Sequence, residues 1–299
     1  MSNPAAAGGP LAPVTVLGLG PMGAALAHAF VDKGHPTTVW NRSAHKADDL
    51  VAKGALRAET AADALKAGSL VVVCVSDYEA MRQILEPAKA ELSGKTLVNV
   101  TSGTPDEAHA AVSWAAEHGA EYLDGAVMVP PAAVGAPEAV FFYSGSRAPF
   151  DAHVDTLRTM GGDAKYLGAD PGLAVLYNTA LLGFMWSTVN GYLHAAALVA
   201  TAGATAEEFT PVALDWFLPS VVTPITRTAP AELDSGTYPG DNGTVRMNLT
   251  AADHLLQTSV RQGLSDAVPA FLKGLLNRTV AEGRGDESYF AIAEVLKKP

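Results

Sequence analysis

Short apolar runs alternate with helically spaced stretches over about the first 168 residues. The apolar runs are short, as in buried strands, and lie at residues 14–17, 37–40, 70–75, 96–100, 121–126 and 139–143. This βαβ alternation predicts an α/β, mostly parallel, doubly wound sheet of the Rossmann type. Ligands of such sheets bind beyond the carboxyl ends of the strands, so the loops that follow the strands are the candidate site.

A long stretch without Asp, Glu, Lys or Arg follows the sheet pattern, from residue 171 to residue 206. Asn178, Ser187 and His194 interrupt it and Lys/Arg flanks are missing, so we do not expect it to span a membrane. A helix over residues 172–200 would be about 43 Å long, at about 1.5 Å per residue. Because a helix that is apolar on nearly all sides must be covered on all sides, we expect a second subunit to pack against it.

The pattern divides the chain into four parts. Residues 1–12 form a loose tail, residues 13–169 the Rossmann domain, residues 170–201 an interdomain helix, and residues 202–299 an all-α C-terminal domain. Within the last part, residues 207–218 and 251–276 are expected to be helical and residues 233–242 to form a loop.

Composition narrows the class of protein. With 299 residues, 48% of them hydrophobic, the chain can bury a large core. Its net charge of -11 gives no reason to expect binding to nucleic acid or an anionic membrane. The single cysteine, Cys74, lies in an apolar run, which favours core packing and a reducing, cytoplasmic location. The histidines and Cys74 show no metal-ligand spacing, so no metal is expected.

The first strand leads into a glycine turn typical of dinucleotide sites. Gly18 permits the tight turn, Gly20 lets the backbone approach a pyrophosphate, and Gly23 allows the helix to pack closely on the strand. The N-terminus of that helix would face the phosphates. We expect the whole turn to bind the cofactor: Gly18, Leu19, Gly20, Pro21, Met22 and Gly23.

The end of the second strand indicates which dinucleotide binds. An NAD site needs a carboxylate there for the ribose 2′-hydroxyl, but this chain has Asn41, Arg42 and Ser43, with Lys46 one turn later. Arg42 offers a planar fork of donors to a 2′-phosphate, and Asn41 and Ser43 add neutral hydrogen bonds. The predicted cofactor is therefore NADPH.

Three further strand-end loops carry candidate site residues. They are Ser76-Asp77-Tyr78, Thr101-Ser102-Gly103-Thr104-Pro105, and the apolar Met128-Val129-Pro130-Pro131. We expect the cofactor to contact Val75, Ser76 and Thr101 as well.

Four segments together resemble the imine reductases and reductive aminases, relatives of the β-hydroxyacid dehydrogenases. They read G-L-G-P-M-G from Gly18, V-W-N-R-S from Val39, V-T-S-G-T-P from Val100, and G-A-D-P-G-L-A-V-L-Y-N-T-A-L-L from Gly168. The resemblance runs from about Val14 to the C-terminus. It implies NADPH-dependent reduction of C=N bonds, with an imine, or a ketone plus an amine, as the substrate. It also implies an interlocked homodimer whose active sites lie between subunits.

Asn178 is the main argument for imines within this group of relatives. The dehydrogenases carry an acid/base lysine at this position, and an amide cannot exchange a proton at neutral pH. An iminium ion already carries its proton and needs no cation nearby. Eight residues on, where the resemblance leads us to expect Asp or Tyr, this chain has Trp186. Asn178 and Trp186 can line one elongated pocket, and neither is an acid, so the substrate arrives as iminium or water relays the proton.

Further residues are candidates for the substrate pocket, several of them with an alternative interpretation. Trp186 is either a flat wall beside the iminium, aided by cation–π attraction, or packing at the subunit interface. Ser102 either contacts substrate or nicotinamide, or caps the helix that begins at Pro105. Tyr177 is expected to be buried with a hydrogen-bond partner rather than to act as an acid. The remaining expected pocket residues are Met128, Val129, Leu182, Trp216, Met247 and Asn248. The resemblance implies that the last three come from the partner subunit. For Trp216 and Met247, core packing is the alternative.

Two other functions remain open on the sequence. One is a 3-hydroxy acid dehydrogenase of the 3-hydroxyisobutyrate or 6-phosphogluconate type, against which stand Asn178 and the apolar loop from Met128 to Pro131. The other is a non-catalytic sensor that binds NADPH.

Overall fold

The computed structural model of the protein describes residues 11–298. Its N-terminal part is an eight-stranded sheet with the order β3-β2-β1-β4-β5-β6-β7-β8. Neighbouring strands are parallel except for the antiparallel pair β6 and β7. The strands are β1 Val14–Leu17, β2 Thr37–Trp40, β3 Leu56–Arg57, β4 Leu70–Val73, β5 Thr96–Asn99, β6 Glu121–Val127, β7 Val140–Gly145 and β8 Asp163–Gly168. The predicted Rossmann-type sheet is confirmed.

Both faces of the sheet are covered. Along β4, Leu70 and Val72 enter one hydrophobic cluster while Val71 and Val73 enter the other, which is why this strand is an unbroken apolar run. The covering helices are α1 Pro21–Lys33, α2 Asp48–Ala52, α3 Ala61–Ala67, α4 Tyr78–Leu85, α5 Pro105–Glu117 and α6 Arg147–Leu157.

The sheet contains two strands that the apolar pattern did not predict. Leu56–Arg57 has only two residues, both exposed, so it shows no periodicity. Asp163–Gly168 is a half-buried strand at the sheet edge with a mixed composition. The predicted strand at residues 70–75 is also too long, since it ends at Val73 and its last two residues belong to the loop.

A single helix, α7 Leu173–Ala200, follows the sheet and is within a residue of the predicted range. The boundary between two compact units of the chain falls inside it, between Gly183 and Phe184. The predicted division at residues 169 and 201 stays a prediction, and most of the predicted tail, residues 1–10, lies outside the described residues.

The remainder of the chain is helical, which confirms the predicted all-α C-terminal part. Its small core contains Tyr238, Val245, Leu276, Ala291 and Ile292. The helices are α8 Ala206–Thr210, a π-helical segment Pro211–Val222, α9 Thr223–Thr226, α10 Ala229–Ser235, α11 Val245–Arg261, α12 Ala267–Ala281 and α13 Ile292–Leu296.

Two predictions in this part were wrong. Residues 251–276 are not one helix, because α11 ends before Gly263, whose φ of 77° lies in the left-handed region that favours glycine. The predicted loop at residues 233–242 begins only at Gly236, since α10 extends through Ser235. Among residues 11–298, none of the helices combines the length and the apolar character that a membrane crossing requires.

Candidate active site

The turn between β1 and α1 leaves backbone N–H groups open to solvent. Gly18 has a φ of +95°, and a Cβ there would lie 2.1 Å from the carbonyl oxygen of Cys74. A Cβ on Gly23 would lie 2.0 Å from the carbonyl oxygen of Gly18, so strand and helix approach this closely only because both residues are glycine. Around Gly20 nothing lies within 4 Å of such a Cβ, and no side chain caps α1. The first-turn N–H groups of α1 are therefore available to an anion.

A large cleft opens at this turn, with a volume of about 1110 Å³. It contains all but two of the predicted cofactor residues: Gly18, Gly20, Pro21, Met22, Gly23, Asn41, Arg42, Ser43, Lys46, Val75 and Ser76. Of the other two, Leu19 packs its side chain into the core and Thr101 lines the neighbouring cavity.

Asn41 joins the two loops that border the cleft and keeps one amide N–H without a partner among the described residues. Its Oδ1 accepts a hydrogen bond from the N–H of Leu19 at 2.9 Å, and its Nδ2 donates to the carbonyl oxygen of Ser43 at 3.1 Å. Arg42 and Lys46 form no ion pair with any residue between 11 and 298 and line the cleft beside it. Two cations and the Ser43 hydroxyl thus face the place where a ribose 2′-phosphate would bind.

A smaller cavity of about 230 Å³ adjoins the cleft. Met22, Cys74, Val75 and Ser76 line both spaces, so the two lie side by side. The loop after β5, the end of β6 and the first turns of α7 supply the other lining residues: Val100, Thr101, Ser102, Gly125, Ala126, Val127, Val175 and Asn178.

Asn178 reaches this cavity from a helix whose start is fixed to the sheet. The Oγ of Ser144 donates to the carbonyl oxygen of Pro171 at 2.8 Å and accepts from the N–H of Ala174 at 2.9 Å. Ser144 therefore caps α7 from a neighbouring strand, one turn before Asn178. Asn178 is 8% exposed, and its side-chain amide makes no hydrogen bond to another described residue. It is free to bond to a ligand.

The loop after β5 brings Thr101 and Ser102 to the same cavity. Thr101 accepts a hydrogen bond from the N–H of Val75 through its Oγ1, at 3.2 Å, and Ser102 is exposed. The alternative that Ser102 caps α5 is wrong, because Thr104 is the cap and forms a capping box with Glu107.

No carboxylate, lysine, arginine or histidine lines the small cavity. Its only titratable side chain is Cys74, and burial raises the pKa of this thiol to about 11. The cavity therefore holds no group that exchanges a proton readily near neutral pH.

The structure does not place the other predicted substrate contacts in this cavity. Met128, Val129 and Leu182 are half-buried outside its lining. In the second compact unit, Trp186 is 58% exposed, Trp216 59% and Met247 58%, while Asn248 Nδ2 donates to the carbonyl oxygen of Thr244 at 2.9 Å. Core packing of Trp216 and Met247 is thus excluded within the described chain.

Tyr177 was expected to be buried and is not. It is 48% exposed, and its ring packs edge-on against Phe142 at 5.8 Å between centroids. The start of α7 is buried on the side of Ala174, Val175 and Asn178, which leaves Tyr177 on the open side.

Several lining residues were missed by sequence reasoning. Val175 could have been found, because it lies three residues before Asn178 on the same helical face. Gly125, Ala126 and Val127 line the cavity only because β6 extends past its neighbour β5, which the apolar pattern does not show.

The chain matches two family descriptions over nearly its whole length. Residues 13–168 match the NAD binding domain of 6-phosphogluconate dehydrogenase, and residues 170–298 match the C-terminal domain described as NADPH-dependent reductive aminase-like. It is 32% identical to an NADPH-dependent reductive aminase from Aspergillus oryzae, over 95% of this chain and 97% of that one.

Solved structures agree with these matches. An imine reductase from Bacillus cereus is 39% identical, with a TM-score of 0.88 over 96% of this chain and 99% of that one. A reductive aminase from Aspergillus terreus, in complex with NADPH4, cyclohexanone and allyl amine, is 37% identical, with a TM-score of 0.89 over the same shares. The resemblance, the NADPH cofactor and the oxidoreductase activity on C=N bonds are confirmed, and the comparisons favour them over a hydroxy acid dehydrogenase or a sensor. The chain belongs to the family of NADPH-dependent imine reductases and reductive aminases.

Proposed function

We propose that the chain reduces iminium ions in the small cavity, beside NADPH held in the adjoining cleft. The observation that carries the proposal is that the two spaces share Met22, Val75 and Ser76 in their linings, with Asn178 also lining the small cavity. NADPH supplies the hydride when it is bound. The protein holds the two reactants side by side and keeps the cavity free of charge.

The cleft fits NADPH better than NADH. The uncapped start of α1 suits the pyrophosphate, and Arg42, Ser43 and Lys46 suit a 2′-phosphate. The only carboxylate that lines the cleft, Glu59, follows β3 and not β2, the strand at whose end an NAD site carries its ribose contact.

Asn178 and Ser102 position the substrate. Both are neutral, so neither repels an iminium ion, and each offers a hydrogen-bonding group to the cavity. Since the lining contains no acid that works near neutral pH, the C=N group must enter already protonated, or take its proton from water.

A second copy of the chain completes the pocket in this proposal. The cavity is small, about 230 Å³, which is below the usual range of about 300–1,000 Å³ for a ligand pocket. The predicted contacts Trp186, Trp216 and Met247 are all more than half exposed, although large apolar side chains usually avoid water. The partner would bring such residues, together with Asn248, over the cavity beside Met128, Val129 and Leu182, in an interlocked homodimer.

Reductive amination extends the same chemistry. The Aspergillus terreus relative is described with a ketone and an amine. We propose that this chain also accepts a small ketone plus an amine, because their condensation product is an iminium ion of the kind that the neutral cavity suits.

Three assays on the purified protein test the function. NADPH oxidation is followed with a cyclic imine, and with cyclohexanone plus allyl amine. NADP⁺ reduction is followed with 3-hydroxyisobutyrate. Turnover of the cyclic imine supports the proposal. Oxidation of the hydroxy acid without imine turnover contradicts it, and so does NADPH binding without any turnover.

A further inference from the structure

A buried carboxyl group belongs to the residue that precedes the cavity-lining part of β6. Asp124 is 0% exposed, one residue before the cavity-lining Gly125. Its Oδ2 accepts hydrogen bonds from the hydroxyl of Tyr78 at 2.5 Å and from the hydroxyl of Tyr122 at 3.0 Å. Its Oδ1 has no hydrogen-bond partner among the described residues. A buried polar group of this kind is costly, so the arrangement calls for an explanation beyond packing.

The hydrogen bonds continue from Tyr122 toward the cavity. Asn99 Nδ2 donates to the Tyr122 hydroxyl at 2.9 Å, and Asn99 Oδ1 accepts from the N–H of Thr101 at 3.2 Å. Thr101 Oγ1 in turn accepts from the N–H of Val75 at 3.2 Å. Asn99 and Thr101 are both buried, so water does not compete for these bonds.

The path closes on itself through the backbone. Val75 is three residues before Tyr78, whose hydroxyl returns to Asp124. Hydrogen bonds thus join the loop after β4, the loop after β5 and strand β6 in one ring, which the covalent backbone between Val75 and Tyr78 closes and which we call the Asp124 ring. Its members are Val75, Tyr78, Asn99, Thr101, Tyr122 and Asp124.

Tyr78 also supports the loop that carries Ser102. A Cβ on Gly103 would lie 2.4 Å from Cε2 of Tyr78, so the tyrosine ring packs against the backbone of that loop. On the other side, Asp124 lies opposite Ser144 in the β6–β7 register, and Ser144 caps α7 one turn before Asn178. The ring therefore lies between the supports of Ser102 and Asn178.

We propose that Tyr78 and Asp124 are positioning residues for imine reduction, and that their hydrogen bond fixes the loops of Val75, Ser76 and Ser102 around the reacting atoms. Neither side chain lines the cavity, so both act through the loops. The ring persists whether or not Asp124 carries a proton, because Oδ1 can hold the proton while Oδ2 keeps both hydrogen bonds.

The inference rests on the proposed function and predicts which kinetic constant changes. Tyr78→Phe removes the hydroxyl and keeps the ring that packs on Gly103. A displacement of about 1 Å in an active site can cost about a hundredfold in rate. Because Tyr78→Phe should displace the loops by less than this, we expect kcat to fall about tenfold. The dissociation constant of NADPH should change less than kcat: Val75 and Ser76 also line the cleft, but the α1 turn and Arg42, where the phosphates are expected to bind, lie outside the Asp124 ring.

The experiment compares Tyr78→Phe, Asp124→Leu, Asp124→Asn and a control, Tyr143→Phe. Tyr143, in strand β7, is also a buried tyrosine, but its hydroxyl has no partner among the described residues, so its removal should leave kcat unchanged. Asp124→Asn keeps an oxygen acceptor and should restore kcat relative to Asp124→Leu. The primary isotope effect with 4-deuterated NADPH should rise in Tyr78→Phe, because hydride transfer becomes the slow step.

The outcomes separate the inference from the function on which it rests. A lower melting temperature of Tyr78→Phe with unchanged kcat and isotope effect would show a structural role only and would overturn the inference. Equal kcat for Asp124→Asn and Asp124→Leu would overturn it as well. If the unaltered protein and Tyr143→Phe both fail to reduce imines, the proposed function itself is wrong.

Discussion

Asn41 holds Leu19 in place: its Oδ1 accepts the hydrogen bond of the Leu19 N–H at 2.9 Å. The residue after β2 thereby fixes the glycine turn after β1, although 22 positions separate the two residues. A carboxylate in this place could accept a hydrogen bond from a ribose 2′-hydroxyl, whereas the Asn41 amide uses its oxygen and one N–H on the protein backbone. We therefore expect Arg42, Ser43 and Lys46 to provide most of the hydrogen bonds to a 2′-phosphate.

The first prediction concerns Arg42. Arg42→Ala should weaken NADPH binding by about tenfold to a hundredfold, because a charge-assisted hydrogen bond is worth about 1.5–3 kcal/mol. NADH binding should change little. Fluorescence titration of the protein with each cofactor measures the two dissociation constants. Arg158→Ala is the control, since Arg158 is an exposed arginine that pairs with Asp155 of α6 and does not line the cleft. Equal losses for NADPH and NADH would contradict the assignment.

The second prediction concerns assembly. The part of α7 in the second compact unit exposes Phe184 by 68% and Leu193 by 56%, with no charged residue along the helix. We expect a dimer in sedimentation velocity at micromolar concentration. Phe184→Glu should shift it toward monomer and abolish imine reduction, because burying a charge at an apolar interface costs several kcal/mol.

Leu56→Glu is the matched control for assembly, since Leu56 is 68% exposed on the edge strand β3. It should leave both mass and activity unchanged. A fully active monomer of the unaltered chain would rule out the shared pocket.

The glycine turn, the Arg42 loop and α7 could be predicted from the sequence because each rests on local chemistry. Gly18 and Gly23 are required because a Cβ at either position would clash with a backbone carbonyl oxygen, and α7 lacks charged residues and proline over its whole length. The strand Asp163–Gly168 could not be predicted, since its half-buried edge position leaves no apolar alternation.

The Asp124 ring lies beyond sequence reasoning for a different reason. Tyr78 and Asp124 are 46 residues apart, and Asn99 reaches Tyr122 only through the register of β5 against β6. The sequence shows only an aspartate inside an apolar strand, which does not indicate its partners. The contacts of Trp186, Trp216 and Met247 stay predictions, because they depend on a second chain.

The third prediction uses the buried Asp124. Burial raises the pKa of this carboxyl from 3.8 to about 7, against a smaller opposing effect of the Tyr78 and Tyr122 hydroxyls. Its folded-state pKa is above the unfolded value, so its contribution to stability is full below about pH 3.8 and is lost as the pH rises through about 7. The neighbouring hydroxyls stay neutral in this range, because burial raises the pKa of each.

Asp124→Asn removes this titration. The melting temperature of the variant, minus that of the unaltered protein, should therefore become more positive as the pH increases from 5 to 8. Scanning calorimetry at matched ionic strength measures the difference. A difference that stays constant across this range would show that Asp124 does not change its protonation state there on folding.

The last prediction concerns the proton. Because the small cavity contains no acid that works near neutral pH, kcat/KM should fall as the pH rises above the pKa of the iminium substrate itself. For two cyclic imines of different basicity, the descending limbs of the two pH profiles of kcat/KM should then be displaced from each other by the difference between the pKa values of the two iminium ions. Asn178→Ala should slow both by about fivefold to tenfold without moving either limb, because it loses one hydrogen bond worth about 1–1.5 kcal/mol. Tyr177→Phe is the control, since Tyr177 lies on the open side of α7 and should affect neither rate nor limb. A limb fixed at one pH for both imines would mean that a group of the enzyme donates the proton, and that the neutral cavity is not the whole site.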